Sequence, residues 1–169
     1  ISDWERMHTT LRAWGVVVWP LAWIVHWCVL RAADAPVGTG ASAAVRPLAG
    51  PAWLKHAHTA SAIALVGWLS WEASEWVGRW FAEGTVWMAC AAAWPAIGFL
   101  ALAPRTAGWR GWPWAEHHDS YAISAATTIA ALLAVWFVVV NVVSPGGAEP
   151  LPYLPLINPL DCTLIAALA

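Results

Sequence analysis

Long runs without charged residues alternate along the chain with short segments that hold most of its charges. Three of these runs predict membrane-spanning helices, because a helix of about twenty residues crosses a bilayer core of roughly 30 Å. They cover residues 13–30, 84–103 and 121–143, and the last is the clearest. Pro20 and Pro95 lie inside the first two runs, where a membrane helix tolerates a proline if neighbouring groups satisfy the freed carbonyl.

A fourth span is predicted from a shorter run. Residues 57–71 are almost entirely uncharged and apolar, but at about 1.5 Å per residue they cover only about 22 Å. The helix must therefore continue to about residue 78, which gives a span over 57–78. This places Glu72 inside one membrane boundary and Glu75 close to it.

The last part of the chain predicts the start of a fifth helix. Residues 150–161 read "PLPYLPLINPLD", and prolines at this density fit an extended, apolar segment that lies against the helix ends. Asn158 is a good N-cap, Pro159 suits the first helical position, and Asp161 stands where a capping-box acid would. We expect a truncated helix over 159–169.

These spans predict an all-α fold. The chain is expected to be a fragment of a polytopic α-helical membrane protein, with four full transmembrane helices and the start of a fifth, all in a single membrane domain over residues 1–169. The first residue is Ile rather than Met, which favours a fragment of a longer chain. The expected partners are the lipid bilayer and the remaining helices of that longer chain.

Composition agrees with a membrane location. Hydrophobic residues make up 60% of the chain and charged residues 11%, whereas a soluble domain has about 25% charged residues. The chain is rich in tryptophan, with 16 residues, and tryptophan favours membrane interfaces. No basic stripe is present, so nucleic acid is excluded as a partner.

The distribution of basic residues predicts the orientation. Alternating spans place one group of basic residues on one side and a smaller group on the other. The larger group is Arg31, Arg46, Lys55, Arg105 and Arg110, and the smaller is Arg6, Arg12 and Arg79. The positive-inside rule puts the larger group in the cytoplasm, so the loop over 144–157 is predicted to face outward.

The segment "SPGGAEPLPYLPLINPLD", residues 144–161, resembles the signature of a large bacterial family of predicted membrane proteins, the domain of unknown function 2339. The order of the preceding spans is also similar to that family, including "HTASAIALVGWLSWEASEW". The resemblance implies a multi-pass protein of the bacterial inner membrane. It supplies no reaction, cofactor or catalytic residue.

The candidate functional residues are polar groups predicted near the outer face. Glu72, Glu75 and Arg79 are spaced i, i+3, i+7 and share one face, and an acid inside a span marks a functional site by default. The alternative is structural, with Glu75 paired to Arg79 and Glu72 reaching toward water. The remaining candidates are Asn141, expected to bond the local backbone, and the caps Asn158 and Asp161.

Histidines and cysteines predict no metal site and no cofactor. "EHHD", residues 116–119, offers four possible ligands, but neighbouring residues point in different directions and no ligand pair stands at i, i+4. We interpret this segment as a solvated loop, and His56 and His58 as residues that flank the second span. His26 is expected to bond a neighbouring helix. The three cysteines are scattered without a C-x-x-C pattern and are interpreted as packing residues.

Three function classes stay open, and whether the protein is an enzyme is not decided. The first is a portion of a transporter or channel, with Glu72 lining a polar path. The second is a membrane-embedded enzyme acting on a lipid-linked substrate, for which a lipid or small molecule would be the ligand. The third is a structural segment that packs spans in a larger assembly.

Overall fold

The structure, a computed structural model, describes residues 10–11, 14–34, 51–81, 86–144, 146–152 and 158–168. Across these residues all regular structure is helical, which confirms the all-α prediction. The helices are α1 (Gly15–Asp34), α2 (Pro51–Gly78), α3 (Val86–Leu102), the short α4 (Trp114–Asp119), α5 (Ala126–Val143) and α6 (Pro159–Leu168). A 3₁₀ turn (Ala103–Gly108) extends α3, and a π-helical turn (Ser120–Ala125) joins α4 to α5.

Three helical segments within the described residues are long and apolar enough to cross a membrane. They are Gly15–Asp34, Val86–Gly108 and Trp114–Val143, and they correspond to the spans predicted over 13–30, 84–103 and 121–143. The chain therefore has the composition and helix lengths of a membrane protein. The segment α2 has 28 residues, about 42 Å, but it is less apolar and is not among these three, and α6 has only 10 residues.

The boundaries of the first two helices differ from the predicted ones. α1 continues to Asp34 and α2 begins at Pro51, four residues beyond the span predicted over 13–30 and six residues before the span predicted over 57–78. Proline is well suited to the first turn of a helix, since its missing N–H would have no partner there. As a result His56 and His58 lie within α2 and not beside it, and residues 116–119 belong to α4.

Packing centres on α2 and α3, which share the most extensive helix contact. One core cluster joins Ala62 and Val66 of α2 to Tyr121, Ala125 and Ile129. α1 lies against α2 mainly through aromatic rings: the centroids of Trp19 and Trp23 are each 6.1 Å from that of Trp68. Trp19 and Trp23 thus pack α1 against α2.

The outer faces of α1 and α5 carry large apolar side chains that no described residue covers. They include Val17, Ile24, Val25 and Val29 of α1 and Val135, Val138 and Val142 of α5, each at least half exposed. Such continuous apolar surface is typical of a helix face that contacts lipid or another protein. It agrees with the apolar spans that the sequence predicts.

The start of α6 is held by the predicted cap. The Leu160 backbone N–H donates to Asn158 Oδ1 at 2.9 Å, and Asn158 Nδ2 donates to the Gly146 carbonyl at 3.0 Å. Asn158 is buried, so one side chain both caps the helix and ties it to the preceding loop. The N-cap prediction is confirmed, whereas the segment over 153–157 lies outside the described residues.

Candidate functional site

A buried polar cluster joins three separate parts of the chain at one end of the bundle. Asp34 ends α1, His58 lies in the second turn of α2, and His117 belongs to α4. Trp112, just before α4, and Tyr121, in the π-helical turn, complete the cluster. The wide turn at Ser120–Ala125 follows α4 directly, and such turns are frequent at functional sites.

Three hydrogen-bond donors converge on one oxygen of Asp34. His58 Nε2 and His117 Nε2 each lie 2.9 Å from Oδ2, and Trp112 Nε1 donates to it at 2.7 Å. The second ring nitrogen of His58, Nδ1, is 2.7 Å from the hydroxyl of Tyr121. The result is a continuous chain from Tyr121 through His58 to Asp34, which His117 and Trp112 join from two further directions.

The arrangement fixes the protons of His58 when no cation is bound. A carboxylate accepts only, so the Nε2 atom of His58 must carry the proton that it donates to Asp34. In the neutral ring Nδ1 then accepts from the Tyr121 hydroxyl. If Nε2 instead offered its lone pair, two acceptors would face each other at 2.9 Å, which is unfavourable unless a cation lies between them.

Aromatic rings surround this polar cluster. The His58 and His117 rings stack with centroids 3.8 Å apart, and Trp27 stacks on Tyr121 at 6.3 Å. Trp112 meets His58 edge-on at 5.8 Å. These contacts hold both imidazoles in fixed orientations beside the Asp34 carboxylate.

Among the described residues, the cluster is buried and borders a polar pocket on its His117 side. The side chains of His58 and Asp34 are 0% and 6% exposed, whereas that of His117 is 16% exposed. A pocket of about 440 Å³ reaches His117, and its walls include Lys55, Glu116, His118 and Asp119. A small polar molecule or ion can therefore reach the cluster from the His117 side.

The donor set fits a divalent transition metal. The ligand atoms of Asp34, His58 and His117 all lie within 4.8 Å of one another. Two ligands of a tetrahedral zinc, each about 2.05 Å from the metal, are about 3.3 Å apart, so metal binding would require both nitrogen–oxygen distances, now 2.9 Å, to widen by about 0.4 Å. Two imidazoles and one carboxylate suit zinc or iron, whereas calcium and magnesium prefer oxygen ligands alone.

Tyr121 and Trp112 occupy the positions of supporting groups in such a site. A metal-binding histidine usually bonds a partner through its second nitrogen, which fixes the tautomer and the ring direction. Tyr121 can play this part, with its oxygen accepting a hydrogen bond from the N–H at His58 Nδ1 once Nε2 binds a metal. The indole N–H of Trp112 orients the Asp34 carboxylate in the same way.

Glu72, the principal candidate from the sequence, lies at the opposite end of α2. It is 4% exposed, and its Oε1 accepts hydrogen bonds from the backbone N–H of Thr10, at 2.7 Å, and from the Thr10 hydroxyl. Trp68 Nε1 donates to that same hydroxyl at 2.8 Å. Glu72 therefore holds the chain before α1 against α2 and does not extend toward water.

Arg79 and Asn141, two of the other predicted residues, have partners other than Glu72. Arg79 lies over the Trp76 ring, 4.7 Å from its centroid, and no ion pair links it to Glu75 in the described part of the chain. Asn141 donates to the Phe137 carbonyl at 2.8 Å, which confirms its local backbone role. Asp161 lies in the first turn of α6.

The spacing of ligands along a single helix cannot reveal this cluster, because its members come from three elements. The prediction of a solvated loop for "EHHD" is wrong, because these residues form most of α4 and bring His117 against Asp34. The sequence did contain one signal, a polar residue next to a predicted span. Asp34, His58 and His117 lie next to three different spans, on the same predicted side of the membrane. His26, as predicted, bonds a neighbouring helix, through Ser61 at 2.7 Å.

Comparisons of the chain with protein-family models, with curated proteins and with solved structures found no match.

Proposed function

We propose that the chain is a portion of a multi-spanning bacterial inner-membrane protein, related to the family that residues 144–161 resemble, which binds a divalent transition metal through Asp34, His58 and His117. The observation that carries the proposal is the convergence of these ligand atoms within 4.8 Å. Buried ionisable groups in membrane proteins are costly and mark functional positions.

The proposed membrane arrangement has four spans and the start of a fifth. In addition to the three apolar segments, α2 is long enough to cross the bilayer and has Glu72 and His58 near opposite ends. The metal site lies at the end that carries Arg31 and Lys55, so the positive-inside rule places it on the cytoplasmic side. α6 begins the fifth span.

The ligand count favours a metal that acts on a substrate. Structural zinc sites are closed by four protein ligands, whereas catalytic sites have three and leave a position open. A metal held in this way activates water or polarises a substrate oxygen. Asp34 and the two histidines position it, and the pocket beside His117 admits the reactant. This supports an enzyme acting on a lipid-linked substrate over a purely structural segment.

Transport is the second candidate, and the burial of Glu72 favours it. An ion that crosses the bundle would meet Asp34 at one end of α2 and Glu72 at the other. In proteoliposomes containing the full-length protein, metal uptake abolished by Glu72→Gln, with metal binding at Asp34 unchanged, would support transport. Uptake equal to that of empty liposomes would eliminate it.

Metal binding is tested directly on the purified full-length protein. After chelation and dialysis, titration with zinc or iron(II) and elemental analysis should give about one tightly bound metal ion per chain. His58→Ala and His117→Ala should each remove it. Each has a matched control, because His56→Ala changes an exposed residue of the same helix and His118→Ala changes the neighbouring histidine of α4.

The controls distinguish a specific buried metal site from nonspecific binding of the metal by surface histidines. Both control variants should retain the metal with unchanged affinity. Equal loss in His56→Ala and His58→Ala, or stoichiometric binding that survives removal of both His58 and His117, would contradict the proposal.

A further inference from the structure

An apolar groove of about 540 Å³ runs between α1 and α2. Its size is within the range of about 300–1,000 Å³ that small-molecule sites occupy. α1 contributes one wall, with Trp19, Trp23 and Leu30, and α2 contributes the other, with Trp53, Ala60 and Ala64. Because α1 is one of the segments apolar enough to cross a membrane, a groove along it faces hydrocarbon.

The polar groups in the groove walls satisfy each other. Ser61 Oγ donates to the Ala57 carbonyl at 2.6 Å, so its proton is already used. His26 Nε2, 2.7 Å from Ser61 Oγ, must then be the donor in that contact. A hydrocarbon chain in the groove would leave neither group without a hydrogen bond, which is the condition for burying them at low cost.

The end of the groove near the metal ligands carries positive charge. Arg31 follows Leu30, a lining residue, and Lys55 lies between the lining residues Trp53 and Ala57; both cations are exposed. The Arg31 guanidinium lies 5.7 Å from the centre of the Trp112 ring, and Trp112 in turn donates to Asp34. An anionic group bound here would lie beside the metal ligands.

We propose that this groove binds an anionic phospholipid. Its acyl chain lies between the tryptophans of α1 and the alanines of α2, and its phosphate lies between Arg31 and Lys55. The inference rests on the proposed function, since it names the substrate class that the metal site would act on. Charge complementarity favours this occupant, because two exposed cations near one end of an apolar groove attract an anionic headgroup more strongly than a neutral one.

The test uses the full-length protein in nanodiscs that contain equal amounts of phosphatidylglycerol and phosphatidylcholine. Lipids retained after gentle release are counted by native mass spectrometry, and the metal content of the same sample is measured. Phosphatidylglycerol should be enriched. Arg31→Gln and Lys55→Gln should each lower that enrichment about fivefold, the effect of removing one basic residue at an anionic surface.

Ala60→Leu fills the groove and should abolish retention of phosphatidylglycerol while the metal stays bound. Its matched control is Ala131→Leu, which enlarges an exposed alanine of α5 outside the groove and should change nothing. Equal retention of both lipids, or enrichment that Ala60→Leu leaves intact, would overturn the inference. So would a cysteine crosslink showing that another helix of the protein fills the groove.

The two proposals fail separately. A protein that binds the metal but retains no phosphatidylglycerol would contradict the groove assignment alone. A protein that retains phosphatidylglycerol through Arg31 and Ala60 but binds no metal would contradict the metal site and leave the lipid site in place.

Discussion

Replacing Tyr121 with Phe removes one oxygen atom from the centre of the polar cluster. The Tyr121 side chain is 1% exposed, and its hydroxyl lies 2.7 Å from His58 Nδ1. The aromatic ring, which stacks on Trp27, stays in place in the variant. Tyr121→Phe therefore tests a single hydrogen bond without opening a large cavity.

The expected cost follows from what the hydroxyl leaves behind. His58 is 0% exposed, so its Nδ1 would be buried without a partner, and an unsatisfied buried polar group costs about 1–3 kcal/mol. We expect the free energy of unfolding of the metal-free protein to fall by that amount. The same change removes the group that orients His58 as a ligand, which should lower metal affinity about 10–100-fold.

Both quantities can be measured on one preparation in detergent. Unfolding by increasing SDS is followed by tryptophan fluorescence in the presence of a chelator, and metal affinity is measured by titration. Thr128→Val is the control, because it removes a hydroxyl from an exposed residue two turns further along the same helical segment. This control should change the free energy of unfolding by no more than about 0.5 kcal/mol. Equal stability of Tyr121→Phe and Thr128→Val would refute the argument from burial, and unchanged metal affinity would refute the supporting role of Tyr121.

Three further predictions concern the opposite end of the bundle. Glu72→Gln should lower the free energy of unfolding by about 1–2 kcal/mol, since hydrogen bonds to a charged acceptor are stronger than those to a neutral one. Glu75→Gln, the control, should change it by less than about 0.5 kcal/mol, and similar SDS midpoints for the two variants would contradict the prediction. Asn158→Ala should cost about 0.5–2 kcal/mol, the usual value of an N-cap, and faster hydrogen exchange at the start of α6 would report it. Gly147→Cys in a cysteine-free protein should react with an impermeant thiol reagent in intact cells, because the loop over 144–157 is predicted to face outward and a side chain added at Gly147 meets nothing within 4 Å. Labelling only after lysis would reverse the predicted orientation.

The sequence by itself determined the helical class and much of the local structure. Uncharged runs locate the helices because a bilayer requires about twenty apolar residues per crossing, and Asn158 followed by proline locates the start of α6 because capping is a local interaction. Asn141 was likewise assigned correctly, since its partner Phe137 lies one turn away on the same helix. Each of these features depends on residues within a few positions of one another.

Only the tertiary structure decided where the chemistry lies. His58 and Asp34 are 24 positions apart, and His117 and Asp34 are 83 apart, so no spacing rule along one helix could connect them. The same limit applies to Glu72, whose partner Thr10 is 62 positions away. Helix formation is governed by local hydrogen bonds and local hydropathy, whereas the convergence of polar side chains depends on how the helices pack, which the order of residues along one helix does not specify.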